Sequence, residues 1–485
     1  MANQLLTCPV EDSSAGPWLH QGARCSRGQL DLDTAMGDQH ACSSALGFRE
    51  VPSMITRLLI SIILSSCLPW HACADQLVNG PMVGHVSSDS VRIWARAGES
   101  GTWTLTLRSG DHVLTGTNEA DSRDDHCFVI EVGGLRPDTE YAYELTGPDG
   151  RSFTLPSQTV RTAPSDSTTR PIRIAFGSCA REDDHTSRTW ALLKKQDPDL
   201  VVLLGDTPYI DTTDLQKQRS RRNVFNGFDP KQAVSVNTPT YFTWDDHDFG
   251  RNDTDGTMPG KSVSRKAFIE YTANPGYGDG TEGIYTSFRH GPVEIFLLDT
   301  RYFARTEESG FKDGAPSLLG SKQWDWLRKS LSDSTAPFKV IASGMIFNDA
   351  VRPLKTDFWG AYPHERDALF SFIGENRIEG VILVAGDIHR SRVVIHDSAD
   401  LVGYPLTELI TSPMHSSVIE SANAFHPGLV KDMGEPRSHL VLELDCTGDS
   451  PVAIARFMQD PKGVLFRHEV DLPAPGARKE PAASP

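Results

Sequence analysis

From residue 76 to about 163 apolar and polar positions alternate with a period of two. The runs SVRIWA (90–95), WTLTL (103–107), FVIEV (128–132) and YAYEL (141–145) are separated by short segments rich in Gly, Asp, Asn and Pro. That pattern predicts half-buried strands joined by tight turns, and a small all-β sandwich over residues 75–163. A Ser/Thr/Pro/Asp-rich stretch at 163–171 reads as a linker. Beyond it the pattern changes. Continuous apolar runs now alternate with stretches of helical period at 186–196, 261–272, 321–331 and 365–375. Further strands are expected at 294–298, 339–342, 438–444 and 452–457. This alternation predicts an α/β domain over 170–460, with helices covering the faces of a layered sheet.

The two ends of the chain differ from this core. Residues 1–53 are polar, carry scattered Cys8, Cys25 and Cys42, and show no periodicity. Met54-Ile55-Thr56-Arg57, the run LLISIIL and Ala72-Cys73-Ala74 then supply the parts of a secretory signal peptide. The reading is a start at Met54, a mis-assigned extension over 1–53, a signal over 54–74 and an exported protein. Leu64-Ser65-Ser66-Cys67 resembles a lipobox, which would allow a lipid anchor through Cys67. The apolar run is too short to span a bilayer, so no transmembrane segment is expected. The Pro/Ala-rich tail at 473–485 is expected to be disordered.

Composition narrows the function. The 485 residues are 38% hydrophobic and 23% charged, as in an ordinary globular protein. A formal charge of −17 lacks the basic footprint of a nucleic-acid binder, so nucleic acid enters only as a substrate. An anionic substrate would need local cations against that background. Past the signal only Cys127, Cys179 and Cys446 remain. Three thiols cannot all pair. Cys179 is the one expected to stay free or bind metal, while Cys127 and Cys446 are small buried hydrophobes or a disulfide pair.

Four apolar runs end in metal-ligand residues: IRIAF before Gly177-Ser178-Cys179, LVVLLG before Asp206-Thr207-Pro208-Tyr209, TYFTW before Asp245-Asp246-His247-Asp248, and GVILVAG before Asp387-Ile388-His389. Strands of an open α/β sheet deliver their carboxyl ends to one crevice, so these loops are expected to converge on a site for more than one metal ion. Asp206 can bridge two cations, and a Tyr209 phenolate favours a hard ion such as Fe³⁺. In the acidic run Asp246 is expected to point inward, with His247 or Asp248 facing substrate or supporting the metal ligands from behind. The Asn252 amide is a further neutral donor. Asp387 and His389 are expected to face one side of an extended segment. Arg390 is either a phosphate clamp or a solvated charge. His290 reads as a hairpin residue, Asp299 and Arg301 as a buried pair supporting the loops, and His415 is left open.

The order FGSC, GDTPY, WDDHDFGRND, VEIFLLDTRYF, LGSKQWDWLRKSL, KVIASG and LVAGDIHRS resembles the PhoD-like alkaline phosphatases, relatives of the calcineurin-like and purple acid phosphatases. The resemblance runs from about Gln76 to Phe457. It implies a four-layer metallophosphatase-type β-sandwich flanked by helices, and a secreted phosphomonoesterase or phosphodiesterase with Fe³⁺ and Ca²⁺ or other divalent cations. By motif, Cys179, Asp206, Tyr209, Asp387 and His389 would hold iron, and Asp206 and Asn252 would hold calcium. Read from their positions beside these ligands, Asp206, Asp246, His247, Asp248 and Arg390 are the residues expected to act on a small phosphate ester, through a metal-activated water or oxide. The chain departs from the family pattern at Thr207-Pro208, at Asp248 where Glu is usual, and at Arg251 where a first Asn often stands. The competing readings are a hydrolase of polymeric or lipid phosphodiesters and a secreted binding protein without catalysis. A structural-metal protein would need closed Cys/His sites, which the sequence lacks.

Overall fold

The computed structural model describes residues 77–473, apart from 156, 167, 169, 353, 354 and 449. The extension over 1–53, the signal at 54–74, Cys67 and the tail from 474 onward lie outside the described residues. No helix among the described residues is long and apolar enough to cross a membrane.

The first part is all β. Its strands are β1 (Leu77–Val86), β2 (Ser90–Ala97), β3 (Gly101–Ser109), β4 (His112–Ala120), β5 (Cys127–Gly133), β6 (Glu140–Thr146), β7 (Ser152–Phe153) and β8 (Thr159–Arg161). They form one sheet ordered β1-β2-β5 and another ordered β4-β3-β6-β7, with β8 on β6. Val91, Ile93 and Ala95 from β2 meet Trp103, Leu105 and Leu107 from β3 in a closed core, as the period-two pattern requires.

The second part continues with β9 (Ile172–Gly177), α1 (Asp184–Lys195), β10 (Leu200–Leu204), α2 (Leu215–Asn226), α3 (Asp229–Ser235), β11 (Thr240–Thr243), α4 (Asp246–Phe249) and α5 (Lys261–Glu270). After these come β12 (Thr286–His290), β13 (Val293–Leu297), α6 (Gly320–Asp333), β14 (Phe338–Ser343), α7 (Pro363–Glu375), β15 (Val381–Ala385), β16 (Ser391–Ile395), α8 (Ala399–Val402) and β17 (Thr407–Ile410). The chain closes with β18 (Leu429–Met433), β19 (Ser438–Asp445), β20 (Val452–Gln459) and β21 (Gly463–Val470).

Two sheets result, ordered β11-β10-β9-β19-β20-β21 and β12-β13-β14-β15-β17-β16-β18. Side chains explain the layering. On β10, Leu200, Val202 and Leu204 enter a core shared with Ile295, Val340 and Ile382 of the other sheet. The alternate Val201 and Leu203 pack under Trp190 and Leu193 of α1 and Phe225 of α2. On the far side, Ile341 and Leu383 lie under Leu327 of α6 and Leu369 of α7. The order is helices, sheet, sheet, helices: the four layers expected. Strands buried on both faces read as unbroken apolar runs, which is why these were legible.

The sandwich packs on the helices outside the first of these sheets. Met82, Trp94 and Cys127 share a core with Phe225, Val234 and Phe242. The Trp94 indole donates to the Glu270 carbonyl at 2.7 Å, and the Tyr143 hydroxyl donates to the Val236 carbonyl at 2.6 Å. Cys127 and Cys446 are both free thiols, so the disulfide alternative is set aside. His290 ends one arm of the β12–β13 hairpin.

Candidate metal centre

Parallel pairing sets the rim of the site. β9, β10 and β11 run parallel, as do β13, β14, β15 and β17, so their carboxyl ends open in common directions. Backbone hydrogen bonds stitch the loops beyond them together. Cys179 N donates to Gly205 O, Ala180 N to Asp206 O, Met414 N to Ser178 O and His415 N to Cys179 O, at 3.0 to 3.2 Å. A side chain at Gly205 would clash, because an added Cβ would lie 2.4 Å from Asp245 N. The loop after β10 therefore touches the loop after β11 directly.

Six residues here hold the left-handed backbone region that L-residues avoid: Cys179 (φ 55°), Asp206 (φ 54°), Asp211 (φ 61°), Asp253 (φ 55°), Asp387 (φ 69°) and His389 (φ 52°). Strain of this kind gathers at functional sites. It also corrects one expectation. Asp387 and His389 do not lie on an extended segment; consecutive tight turns, not alternation, aim them.

Three groups of ligand atoms result, each within 4.8 Å of one another: Cys179, Asp206 and His389; Asp206, Asp246 and His247; and Asp246, Asp253 and Asp357. In the first, Cys179 Sγ lies 3.5 Å from Asp206 Oδ2 and accepts from Ser412 Oγ at 3.2 Å. The Tyr209 hydroxyl lies 3.0 Å from His389 Nε2 and 3.0 Å from His415 Nε2. Asp206 belongs to two groups, as a bridging carboxylate would.

Electrostatics agree that these residues fit cations. Burial, then Asp246, Asp245, Asp248 and Asp387, push the Asp206 carboxyl well above its ordinary range, so holding it ionised requires positive charge nearby. Burial also raises the Cys179 thiol and the Tyr209 phenol, and a bound cation would reverse both. Burial lowers His389 to about 4 and His415 to about 3, keeping both imidazoles neutral, the form that binds metal.

A cavity of about 130 Å³ opens beside these groups, lined by Asp206, Asp246, His247, Asn252, Arg352, Lys355, Asp387 and His389 among others. Larger clefts of about 460 to 720 Å³ exist elsewhere, and none is lined by any of the three ligand groups. His247 N donates to Asp246 Oδ1 at 2.9 Å, while its Nδ1 sits 2.5 Å from Asp211 Oδ1. Asn252 lies on the exposed lip.

Three expected residues stand elsewhere than the sequence implied. The Asp248 carboxylate accepts from Asp245 N at 2.6 Å and Asp206 N at 3.3 Å, so it caps α4 and does not line the cavity. Arg390 is held by Asp432, with Nε at 3.0 Å and Nη2 at 2.6 Å, and also lies off the cavity. The Asp387 carboxylate turns to Lys355, and only its backbone carbonyl approaches Cys179, at 3.6 Å. Arg301 is fully buried, but it pairs with Asp245 and Asp357 rather than Asp299. Asp299 instead accepts from the Trp244 indole and the amides of Ile284, Arg301 and Tyr302.

Sequence reasoning missed Asp211, Arg352 and Lys355, and left His415 open. Asp211 lies five residues past Asp206, and His415 follows the apolar end of β17, so strand-end logic could have found both. Arg352 and Lys355 sit in an irregular segment without such a signal.

Comparison with known proteins bears on this site. Residues 214–450 match the family model of the PhoD-like phosphatase, a stretch that includes Asp246, His247, Asn252, Asp387 and His389. Residues 74–165 match a second model, described as a domain of unknown function (DUF7800). The chain is 27% identical over 333 residues to alkaline phosphatase D of Bacillus subtilis (strain 168), across 58% of this chain and 56% of that protein. It thus spans just over half of that relative's length. A solved structure of PhoD superposes with a TM-score of 0.66 at 19% identity, covering 82% of this chain and 93% of that one. Purple acid phosphatase PPD1 from yellow lupin (Lupinus luteus) gives 0.61 at 12% identity, covering 81% and 74%. The motifs, the layers and the family match agree that residues 214–450 form a PhoD-like phosphatase domain, on a fold similar to those of PhoD and purple acid phosphatase.

Proposed function

We propose that the chain is an exported, metal-dependent phosphoric ester hydrolase of the alkaline phosphatase type, acting on small phosphate esters. The observation that carries this reading is the convergence of Cys179, Asp206, Tyr209 and His389 beside Asp246 and His247. Thiolate, carboxylate, phenolate and imidazole would hold Fe³⁺, and Asp206, Asp246 and Asn252 would hold a hard divalent cation such as Ca²⁺. Bound there, such cations would supply the Lewis acidity that polarises a phosphoryl group and acidifies water.

The chain's own groups do the rest. Asp211 holds the His247 ring at Nδ1, leaving Nε2 to donate a proton to the departing alkoxide. Asp211 is a positioning residue in this scheme. Arg352 lines the cavity, and a guanidinium there would meet phosphate charge, whereas Arg390 is held on Asp432. The cavity of about 130 Å³ can admit a phosphoryl head beside the ligand residues. Export rests on the signal-like residues 54–74.

Turnover of p-nitrophenyl phosphate and of its bis ester tests the reading, with Asp206→Ala beside the wild type. Faster monoester hydrolysis, with metal and activity both lost in Asp206→Ala, is expected. A faster diester rate would favour the phosphodiesterase. Absence of turnover on either ester, in metal-loaded protein, would favour a binding protein. Full activity in Asp206→Ala would overturn the bridging role.

A further inference from the structure

Lys355 is absent from the scheme above, yet it occupies a central place. Its side chain is 4% exposed, and its Nζ lies 3.2 Å from Asp253 Oδ1, 3.2 and 3.1 Å from Asp387 Oδ1 and Oδ2, and 3.6 Å from Asp357 Oδ2. An ammonium has three donors and no acceptor, and here three carboxylates surround it. Asp357 is engaged again from behind, where Arg301 Nη1 and Nη2 donate to its two oxygens at 2.6 and 2.8 Å. Asp246 accepts from Asp253 N at 2.6 Å and His247 N at 2.9 Å.

These contacts bear on the third ligand group, Asp246, Asp253 and Asp357. By spacing alone it resembles a cation site. Two of its three carboxylates, however, Asp253 and Asp357, already face a protein cation in the Lys355 ammonium. We infer that the Lys355 ammonium is the built-in cation of this third group, so that no metal ion binds there and the Asp387 carboxylate serves Lys355 rather than iron. The inference rests on reading the cavity as a metal centre.

The chemistry is consistent. Burial works against the charge on Lys355, but Asp387, Asp357, Asp246 and Asp253 outweigh it and hold the ammonium protonated. A fixed cation needs no free metal to assemble. It also ties the irregular segment carrying Lys355 to the Asp387 turn, two residues from His389. Lys355 is therefore a positioning residue: it neutralises one wall of the cavity and steadies the loop that presents an iron ligand.

Metal counting tests this without relying on activity. Wild type, Lys355→Met and Lys355→Arg would be equilibrated with Mn²⁺, and iron and manganese per chain measured by elemental analysis. Lys355→Met is expected to take up one manganese more than the wild type, Lys355→Arg none more, and iron to be equal in all three. Equal manganese in the wild type and Lys355→Met would overturn the inference. Should Lys355→Met fail to fold, wild-type crystals soaked in Mn²⁺ decide the matter. Anomalous density among Asp246, Asp253 and Asp357 overturns it, and density confined to the other groups supports it. Wild-type protein that holds no metal at all would sink the metal-centre reading separately.

Discussion

Lys231→Met is expected to stabilise the protein near neutral pH and to destabilise it at alkaline pH. Lys231 lies on α3 with no exposed surface, against Met82 of the sandwich and between the rings of Phe225 and Phe242. Its Nζ donates to Asn226 Oδ1 at 2.9 Å, and no carboxylate neutralises it among the described residues. Burial lowers its pKa from 10.5 to about 7. The unfolded chain therefore holds one proton more than the folded chain between those values, and stability rises with pH across that window. At about 1.4 kcal/mol per pH unit, the lysine costs roughly 4 kcal/mol of stability near pH 7 and almost nothing above its unfolded pKa. Methionine removes that cost and keeps the apolar packing, but it strands Asn226 Oδ1, at about 1 to 3 kcal/mol. The variant should thus be more stable by about 1 to 3 kcal/mol near pH 7, and less stable by a similar amount near pH 10.5. Urea unfolding of both proteins at several pH values between these limits reads the effect directly. A stability difference that does not change with pH would refute the reasoning, because a substitution without proton linkage has no cause to reverse its effect between pH 7 and pH 10.5.

Two further substitutions probe the cavity. Arg352→Ala should raise KM for a phosphate monoester about tenfold or more, the loss of a hydrogen bond to charge, whereas Arg390→Ala should leave kcat/KM within about threefold and lower Tm. Steady-state kinetics and thermal melts check both, and the reverse pattern would restore Arg390 as the clamp. Asp211→Asn should lower kcat about tenfold to a hundredfold with little change in KM, because it disturbs the tautomer and aim of His247. An unchanged kcat would remove His247 from proton transfer.

Much of this architecture could be read from the chain because its strands are buried on both faces. Runs such as 200–204 and 381–385 are unbroken by polar residues, and the ligand residues follow them at once. Sandwich strands β2, β3, β5 and β6 were visible through alternation. β1 was hidden by Gly80-Pro81 and by a pattern buried on both faces, and β4 by its largely exposed, threonine-bearing sequence. At the site, Cys179, Asp206, Tyr209 and His389 were named from strand ends, and these are the residues whose atoms meet. What failed was direction. Asp248 looked like its acidic neighbours but caps a helix, and Arg390 follows His389 yet reaches Asp432. Left-handed turns at Asp387 and His389 broke the alternation that orientation by counting assumes. Lys355 and Arg352 lie outside the helices and strands, where no local periodicity marks them.

X-ray absorption at the iron edge of the purified protein tests the caging of a metal by separate loops most directly. A sulfur neighbour among oxygen and nitrogen is expected, and should disappear in Cys179→Ser. Iron without sulfur in its surroundings, or a spectrum that Cys179→Ser leaves untouched, would contradict it.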